Sequence, residues 1–247
     1  MEAKEWDDLA ERYHEEVISP FYGKVKNPIY DELASIKNKN KKSVAEFGCG
    51  LLYLHKELSC FKEVHASDFS QKMVDIAALK AGKYKNISIK KEDLRNINHK
   101  NKFDVVISVN AVIMPSLNDI KKCFKNIHSS LKSKGQVFMI LPSMESVLYH
   151  GMLLLNDENL KNENKAVKSA KGKFEHKKYD MFLGIYNEQG DKQKFYYEHE
   201  LVYLLKKAGF KDIKISKVLY PWGKDISDYK SFPKEAPLWD WFISAKK

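Results

Sequence analysis

From Ser43 to Pro142 the chain alternates between short runs rich in β-branched and aromatic residues and longer amphipathic stretches, and this alternation constrains the fold most. The strand-like runs are SVAEFG, EVHASD, ISIKKED, FDVVISV and QVFMILP. The helix-compatible segments between them include SQKMVDIAALKAG and LNDIKKCFKNIHSSLKSKG. Strands that take turns with helices predict right-handed βαβ units and a parallel sheet covered on both faces. In such a sheet, ligands sit beyond the carboxyl ends of the strands, near the point where strand order reverses.

The flanks are less regular. Trp6, Leu9, Ala10, Tyr13 and Val17 share one helical face, predicting a helix from Trp6 to Ser19. A second short helix is expected over Asp31 to Ile36, closed by the polar run KNKNKK. From Ser143 to Tyr197 the alternation stops. This stretch reads as an insertion after the fifth strand: a helix in MESVLYHGMLLLNDENL, a lysine- and asparagine-rich connector, and two strands around KYDMFLGIYN and QKFYYE joined by a turn at EQGD. HELVYLLKKAGF returns to helical spacing and stops at Gly209, and KDIKISKVL and LWDWFISAK are expected as a final pair of strands.

Length and composition narrow the class. A chain of 247 residues with 43% hydrophobic residues can bury one sizeable core, so one α/β domain is expected. No apolar run has the length of a membrane span, and MEAKEWDDLAERYHEE is acidic and lacks the apolar centre of a signal peptide, so a cytoplasmic chain without membrane contact is expected. Cys49, Cys60 and Cys123 are odd in number and widely spaced, with no metal-ligand spacing around them, so neither a disulfide framework nor a metal site is expected. The net charge of +10 raises nucleic acid as a partner. Against that, Arg12 and Arg95 are the only arginines among 43 basic residues, and the lysines are spread among many asparagines. Guanidinium is the group preferred for phosphate and base recognition, so nucleic acid is not the expected partner.

The turn after the first strand run decides the ligand class. In SVAEFGCGLLYL, Gly48 and Gly50 fit the start of a dinucleotide fingerprint, but Tyr53 stands where the third glycine belongs. Glu46 would also set a carboxylate beside a pyrophosphate, which is repulsive. The same carboxylate suits a ligand with an ammonium group and no phosphate, such as S-adenosylmethionine. Asp68 ends the second strand run, where an acid can accept hydrogen bonds from both ribose hydroxyls, and Asp93 ends the third, where an acid could accept the exocyclic amine of adenine. Taken singly each is weak, since Asp68 could cap the following helix and Asp93 could be a turn residue.

On VAEFGCG, VHASDFSQKMVDIA, ISIKKEDL, FDVVISVNAVIM and LKSKGQVFMILPS, followed by GFKDIKIS and LWDWFISAKK, the chain resembles the class I S-adenosylmethionine-dependent methyltransferases, specifically the small-molecule type with an amino-terminal cap helix. The resemblance implies a doubly wound, Rossmann-like seven-stranded sheet whose last strand is antiparallel. It implies one methyltransferase domain over residues 1–247, with cap helices at 1–40, a cofactor core at 43–142, a substrate lid at 143–197 and a closing helix and strand pair at 198–247. It places Glu46, Gly48, Cys49 and Gly50 around the methionine moiety, Asp68 and Phe69 at the ribose, Asp93 and Leu94 at the adenine, and Asn110 and Ala111 on the methionine side. The family often has a further glycine two positions after Gly50, and here Leu52 stands there.

Methyl transfer from a sulfonium is an in-line displacement, for which alignment alone can supply roughly 7–11 kcal/mol. A base is needed only where the acceptor must lose a proton. The candidates are Tyr13 and His14 on the first helix, His150 at the start of the insertion, and His199 in YYEHE. Tyr149, Tyr196, Tyr197 and Trp222 are expected against the acceptor. The fourth strand run ends in SVNAVIM and not in the N-P-P-Y turn of enzymes that methylate base or glutamine amines, which lowers that reading, and the first expectation is a monomeric or homodimeric enzyme acting on a small molecule. An RNA or protein methyltransferase, and a non-catalytic S-adenosylmethionine-binding protein, remain as alternatives.

Overall fold

The computed structural model describes residues 3–10, 19–23, 25–156, 162–175, 177–188, 190–224, 226 and 228–247. Tyr13 and His14 lie outside the described residues. The alternating block becomes β1 (Ser43–Phe47), β2 (Glu63–Asp68), β3 (Ile87–Lys91), β4 (Phe103–Val109) and β5 (Leu131–Pro142). Around and between them run α1 (Ala3–Leu9), α2 (Pro28–Ser35), α3 (His55–Leu58), α4 (Gln71–Ala81) and α5 (Leu117–Ser130). The insertion holds α6 (Met144–Leu155), α7 (Glu163–Lys173), β6 (Tyr179–Asp180), β7 (Ile185–Glu188) and β8 (Asp191–Lys194). The chain closes with α8 (Glu198–Ala208), β9 (Lys211–Tyr220) and β10 (Leu238–Lys246).

The main sheet has seven strands in the order β3-β2-β1-β4-β5-β10-β9. The first five are parallel, and β10 runs antiparallel to both of its neighbours. This is the Rossmann-like sheet that the sequence predicts, with the reversal of strand order between β1 and β4. Alternation along each strand feeds two cores. Phe47, Val106, Met139 and Trp241 pack on one face with Phe124 and Ile127 of α5 and Leu201 and Leu205 of α8. Val44, Ile107, Ile140 and Phe242 pack on the other with Ile29, Leu33 and Leu58 of α2 and α3. Because both faces are covered, β1 is buried throughout and reads as an apolar run with one acid in it.

Several sequence expectations shift. The helix expected through Gly135 stops at Ser130, where Leu131 turns extended (ψ 142°) and pairs with Phe103. The second helix begins at Pro28, with Asn27 capping Ile29, because proline suits the first helical turn. The lysine-rich connector contains α7, which buries only Ala166 and Ala170 and so lacks a strong apolar stripe. The insertion has three short antiparallel strands, not two, since Asp180 caps a turn at Leu183 that splits KYDMFLGIYN. Among the described residues, no helix is long and apolar enough to cross a membrane.

Candidate active site

The turn after β1 is built by backbone bonds to the end of β2. The amides of Gly48 and Cys49 both donate to the Ser67 carbonyl, at 2.8 and 2.9 Å. Gly48 and Gly50 take left-handed backbones (φ 72° and 48°). A Cβ on Gly48 would stand 2.2 Å from the Ala111 Cβ, so the absence of a side chain there lets the turn approach β4. Leu52 also takes positive φ (51°). Its side chain is fully buried with Ala66, Ala77 and Ala81 between β2 and α4. Leucine thus adopts the backbone that a glycine would take there, and packing holds it in place.

A cleft opens over the carboxyl ends of β1, β2, β3 and β4. Gly48, Gly50, Asp68, Phe69, Asp93, Leu94, Asn110 and Ala111 all line it. Two further predicted positions, Glu46 and Cys49, are buried and do not line it. Burial pushes the Cys49 thiol far up and keeps it protonated.

Asp68 is nearly buried and already engaged. Its Oδ2 accepts from the Gly50 amide at 2.9 Å and its Oδ1 from the Ser70 amide at 3.0 Å. Burial raises its pKa against the pull of these bonds. Ser70 caps α4 and donates to Asp7, whose Oδ1 also accepts from the Lys72 amide at 3.1 Å. Those contacts dock α1 on the start of α4 and bring Trp6 to the cleft. Asp93 accepts from the Arg95 amide and guanidinium at 2.9 and 3.0 Å. Burial raises it, but the Arg95 bonds and charge outweigh burial and hold the carboxyl below its ordinary range.

The ends of β1 and β4 differ. Glu46 is 2% exposed on β1, and its Oε2 has no hydrogen-bond partner among the described residues. Burial, with Asp68 and Glu57 adding like charge, pushes its carboxyl up to about 8. Asn110 follows β4 with φ 49°, its amide donating to the Ile140 carbonyl at 2.8 Å. Its Oδ1 is likewise buried without a partner. The Asn110 side chain bonds Asp240 on β10, which also accepts from Tyr220 Oη at 2.6 Å. Burial pushes Asp240 up to about 6, against the bonds from Tyr220, Asn110 and the Ser143 amide.

The insertion supplies one wall. The Lys194 amide donates to the Ile113 carbonyl at 2.7 Å, and Tyr196 Oη donates to the Val112 carbonyl at 2.6 Å. These bonds stitch the end of β8 to the segment after β4 and put Lys192 and Gln193 in the cleft lining. Sequence reasoning missed Lys192 and Gln193, for which no local signal exists. It also missed Arg95 and Glu92, next to Asp93, and Asp240, whose signal was a lone acid inside the apolar strand LWDWFISAK.

The remaining candidates sit elsewhere. His150 is 5% exposed, bonded to Asp228 Oδ2 at 3.1 Å and enclosed by Phe174, Trp222 and Phe232. Burial and Lys173 lower its pKa, and it does not line the cleft. His199 is exposed on the first turn of α8, its ring stacked on Tyr197 at 5.4 Å. Tyr197 Oη donates to the Met181 carbonyl. Tyr196 is fully buried in the core, Tyr149 packs on Trp239 at 5.6 Å, and Trp222 Nε1 donates to the Glu235 and Ala236 carbonyls at 3.2 Å. None of the four expected acceptor contacts lines the cofactor cleft.

Comparison with known proteins agrees with this geometry. A family model described as a methyltransferase domain matches residues 44–135. No curated protein matches the chain. Among solved structures, the chain is similar to an S-adenosylmethionine-dependent methyltransferase from Methanosarcina mazei, at 15% identity over 90% of this chain and 98% of that one, with a TM-score of 0.62. The N-methyltransferase NodS from Bradyrhizobium japonicum WM9, solved with S-adenosylhomocysteine, matches at 9% identity over 99% and 97% of the two chains, TM-score 0.61. A chain in the complex of the Haloferax volcanii Trm112 methyltransferase activator with a proposed methyltransferase matches at 14% identity over 98% and 97%, TM-score 0.63. Identities this low speak for the fold. Residues 44–135 thus match the methyltransferase-domain model, and the chain as a whole has the fold of these S-adenosylmethionine-dependent methyltransferases.

Proposed function

We propose that the enzyme methylates N, O or S of a small-molecule acceptor that enters the cleft beneath the insertion. The observation that carries this reading is the position of β8, whose Lys192 and Gln193 form part of the cleft wall. A wall from the insertion suits a small acceptor better than a long polymer.

When bound, S-adenosylmethionine supplies an electrophilic methyl on a sulfonium. On this reading Glu46 and Asn110 accept from the ligand ammonium, which satisfies the two oxygens without partners. Asp68 takes the ribose hydroxyls on the lone pairs that Gly50 and Ser70 leave, and Asp93 and Leu94 border the adenine. Trp6 brings an aromatic ring to the cleft, whose quadrupole suits a sulfonium cation. The chain's contribution to rate is then alignment, and a low-pKa thiol or carboxylate acceptor needs no base. Residues 1–40 act as cap, 43–142 as cofactor core, 143–197 as lid and 198–247 as closing elements.

The test is incubation of the full chain with methyl-labelled donor and a fractionated cell extract. Label in a low-mass fraction supports the proposal. Label confined to protein or RNA sinks it and favours a macromolecular acceptor. RNA binding that weakens steeply with salt would then separate RNA from protein.

A further inference from the structure

Behind the adenine side of the cleft, His65 of β2 faces two residues of the loop between β3 and β4, Glu92 and His99. His65 Nε2 lies 2.7 Å from Glu92 Oε2, and His99 Nε2 lies 3.3 Å from the same oxygen. The three ligand atoms are all within 4.8 Å of one another. His65 is 2% exposed, His99 and Glu92 are 17% and 22% exposed at the side chain, and Glu92 lines the cleft, so the cluster has a buried side and an open one.

Aromatic rings set the imidazoles in place. Phe47 stacks on His99 at 6.0 Å and 8°, and Phe103 packs on His65 and His99 at 5.6 and 5.5 Å. This apolar collar resembles the shell that controls solvent access at a metal. The 2.7 Å contact of His65 is a charge-assisted hydrogen bond that an ion would replace, whereas the 3.3 Å contact of His99 exceeds the about 2.7–2.9 Å of such bonds. With zinc bonds of about 2.0–2.1 Å, a tetrahedron sets its ligand atoms about 3.3 Å apart. Two imidazoles and one carboxylate, with a position open to water from the cleft, form a common zinc donor set.

We propose that His65, Glu92 and His99 form a zinc-class divalent metal site that clasps the loop after β3 to β2. The cysteines, on which the sequence reading based its expectation of no metal, take no part. The ligands lie on two segments, and no spacing rule joins them.

The test strips the full chain with a chelator and titrates it with zinc chloride and with cobalt chloride. Uptake of one equivalent, with cobalt d–d bands and no sulfur charge-transfer band, is expected. His99→Gln and Glu92→Gln should each weaken zinc binding at least tenfold. No uptake, a thiolate signature from a cysteine such as exposed Cys60, or unchanged affinity in both folded variants overturns the site. Should the variants unfold, zinc X-ray absorption on the unaltered chain reads the ligands directly. Two imidazoles in an oxygen and nitrogen shell support the proposal, and sulfur or no imidazole overturns it.

Discussion

The polar groups at the carboxyl ends of the central strands fall into two opposite states. At the ends of β2 and β3, Asp68 and Asp93 have oxygens filled by Gly50, Ser70 and Arg95. At the ends of β1 and β4, Glu46 and Asn110 each bury an oxygen with no partner among the described residues. A buried acceptor left unsatisfied costs roughly 1–3 kcal/mol. The first pair is therefore rigid framework that also offers spare lone pairs. The second is held at a cost in stability that a ligand donor would relieve.

The sharpest way to break this contrast lies in the turn after β1. Gly48→Ala puts a Cβ 2.2 Å from Ala111 at φ 72°, and crowding plus the left-handed backbone should cost about 2–4 kcal/mol and abolish S-adenosylhomocysteine binding. Gly50→Ala, with nothing within 4 Å at φ 48°, should cost only about 1 kcal/mol. Urea unfolding of both variants decides it, and equal losses would show that contact with Ala111 is irrelevant.

Asp68→Asn should lose both stability, by about 1.5–3 kcal/mol, and ligand affinity, by roughly ten- to a hundredfold, since its charge serves the Gly50 and Ser70 amides and, on the proposed reading, the ligand. Denaturation and calorimetry read the two separately. Affinity lost with stability intact would make Asp68 a ligand group only, the role proposed for Glu46.

Glu46 gives a pH signature. The folded chain keeps its proton up to about 8, while the unfolded chain releases it near the ordinary 4.5. Between those values the folded state binds more protons, so this group's contribution to stability falls as pH rises. From pH 7 to 8 the fall should be about 1 kcal/mol and should vanish in Glu46→Gln. An ammonium ligand would also expel that proton at pH 7. Calorimetry in buffers of different ionisation enthalpy should detect the release, and no difference between buffers would place the ammonium elsewhere.

The smallest effect concerns the support of Asn110. Tyr220→Phe removes the 2.6 Å bond to Asp240, raising Asp240 further above its ordinary range and loosening the Asn110 amide. A loss of about 0.5–1 kcal/mol in S-adenosylhomocysteine affinity is expected, and no change would show that Asp240 does not hold Asn110 for the ligand.

Legibility follows the same division. The strand runs, the glycine turn and the acids at the ends of β2 and β3 could be read because each is local: period, turn residue and strand end lie within a few positions of one another. Asp68 and Asp93 were visible for that reason. The insertion was harder, since α7 buries little and its apolar residues are small alanines. The aromatics expected against the acceptor misled because a tyrosine in the core and one at a pocket mouth look alike in sequence. Tyr196 is core, its hydroxyl satisfied by Val112.

What the chain determined by itself is therefore the alternating α/β order, the turn that leaves room for a ligand, and the acids beside it. Only tertiary structure decided which acceptors are left without partners, that β8 walls the cleft, that Asp240 reaches Asn110, and that His65 meets Glu92 and His99. The physical reason is distance along the chain. Hydrogen bonds and burial act over a few ångströms, and crossovers and a return strand bring together groups whose sequence neighbours carry no trace of the meeting.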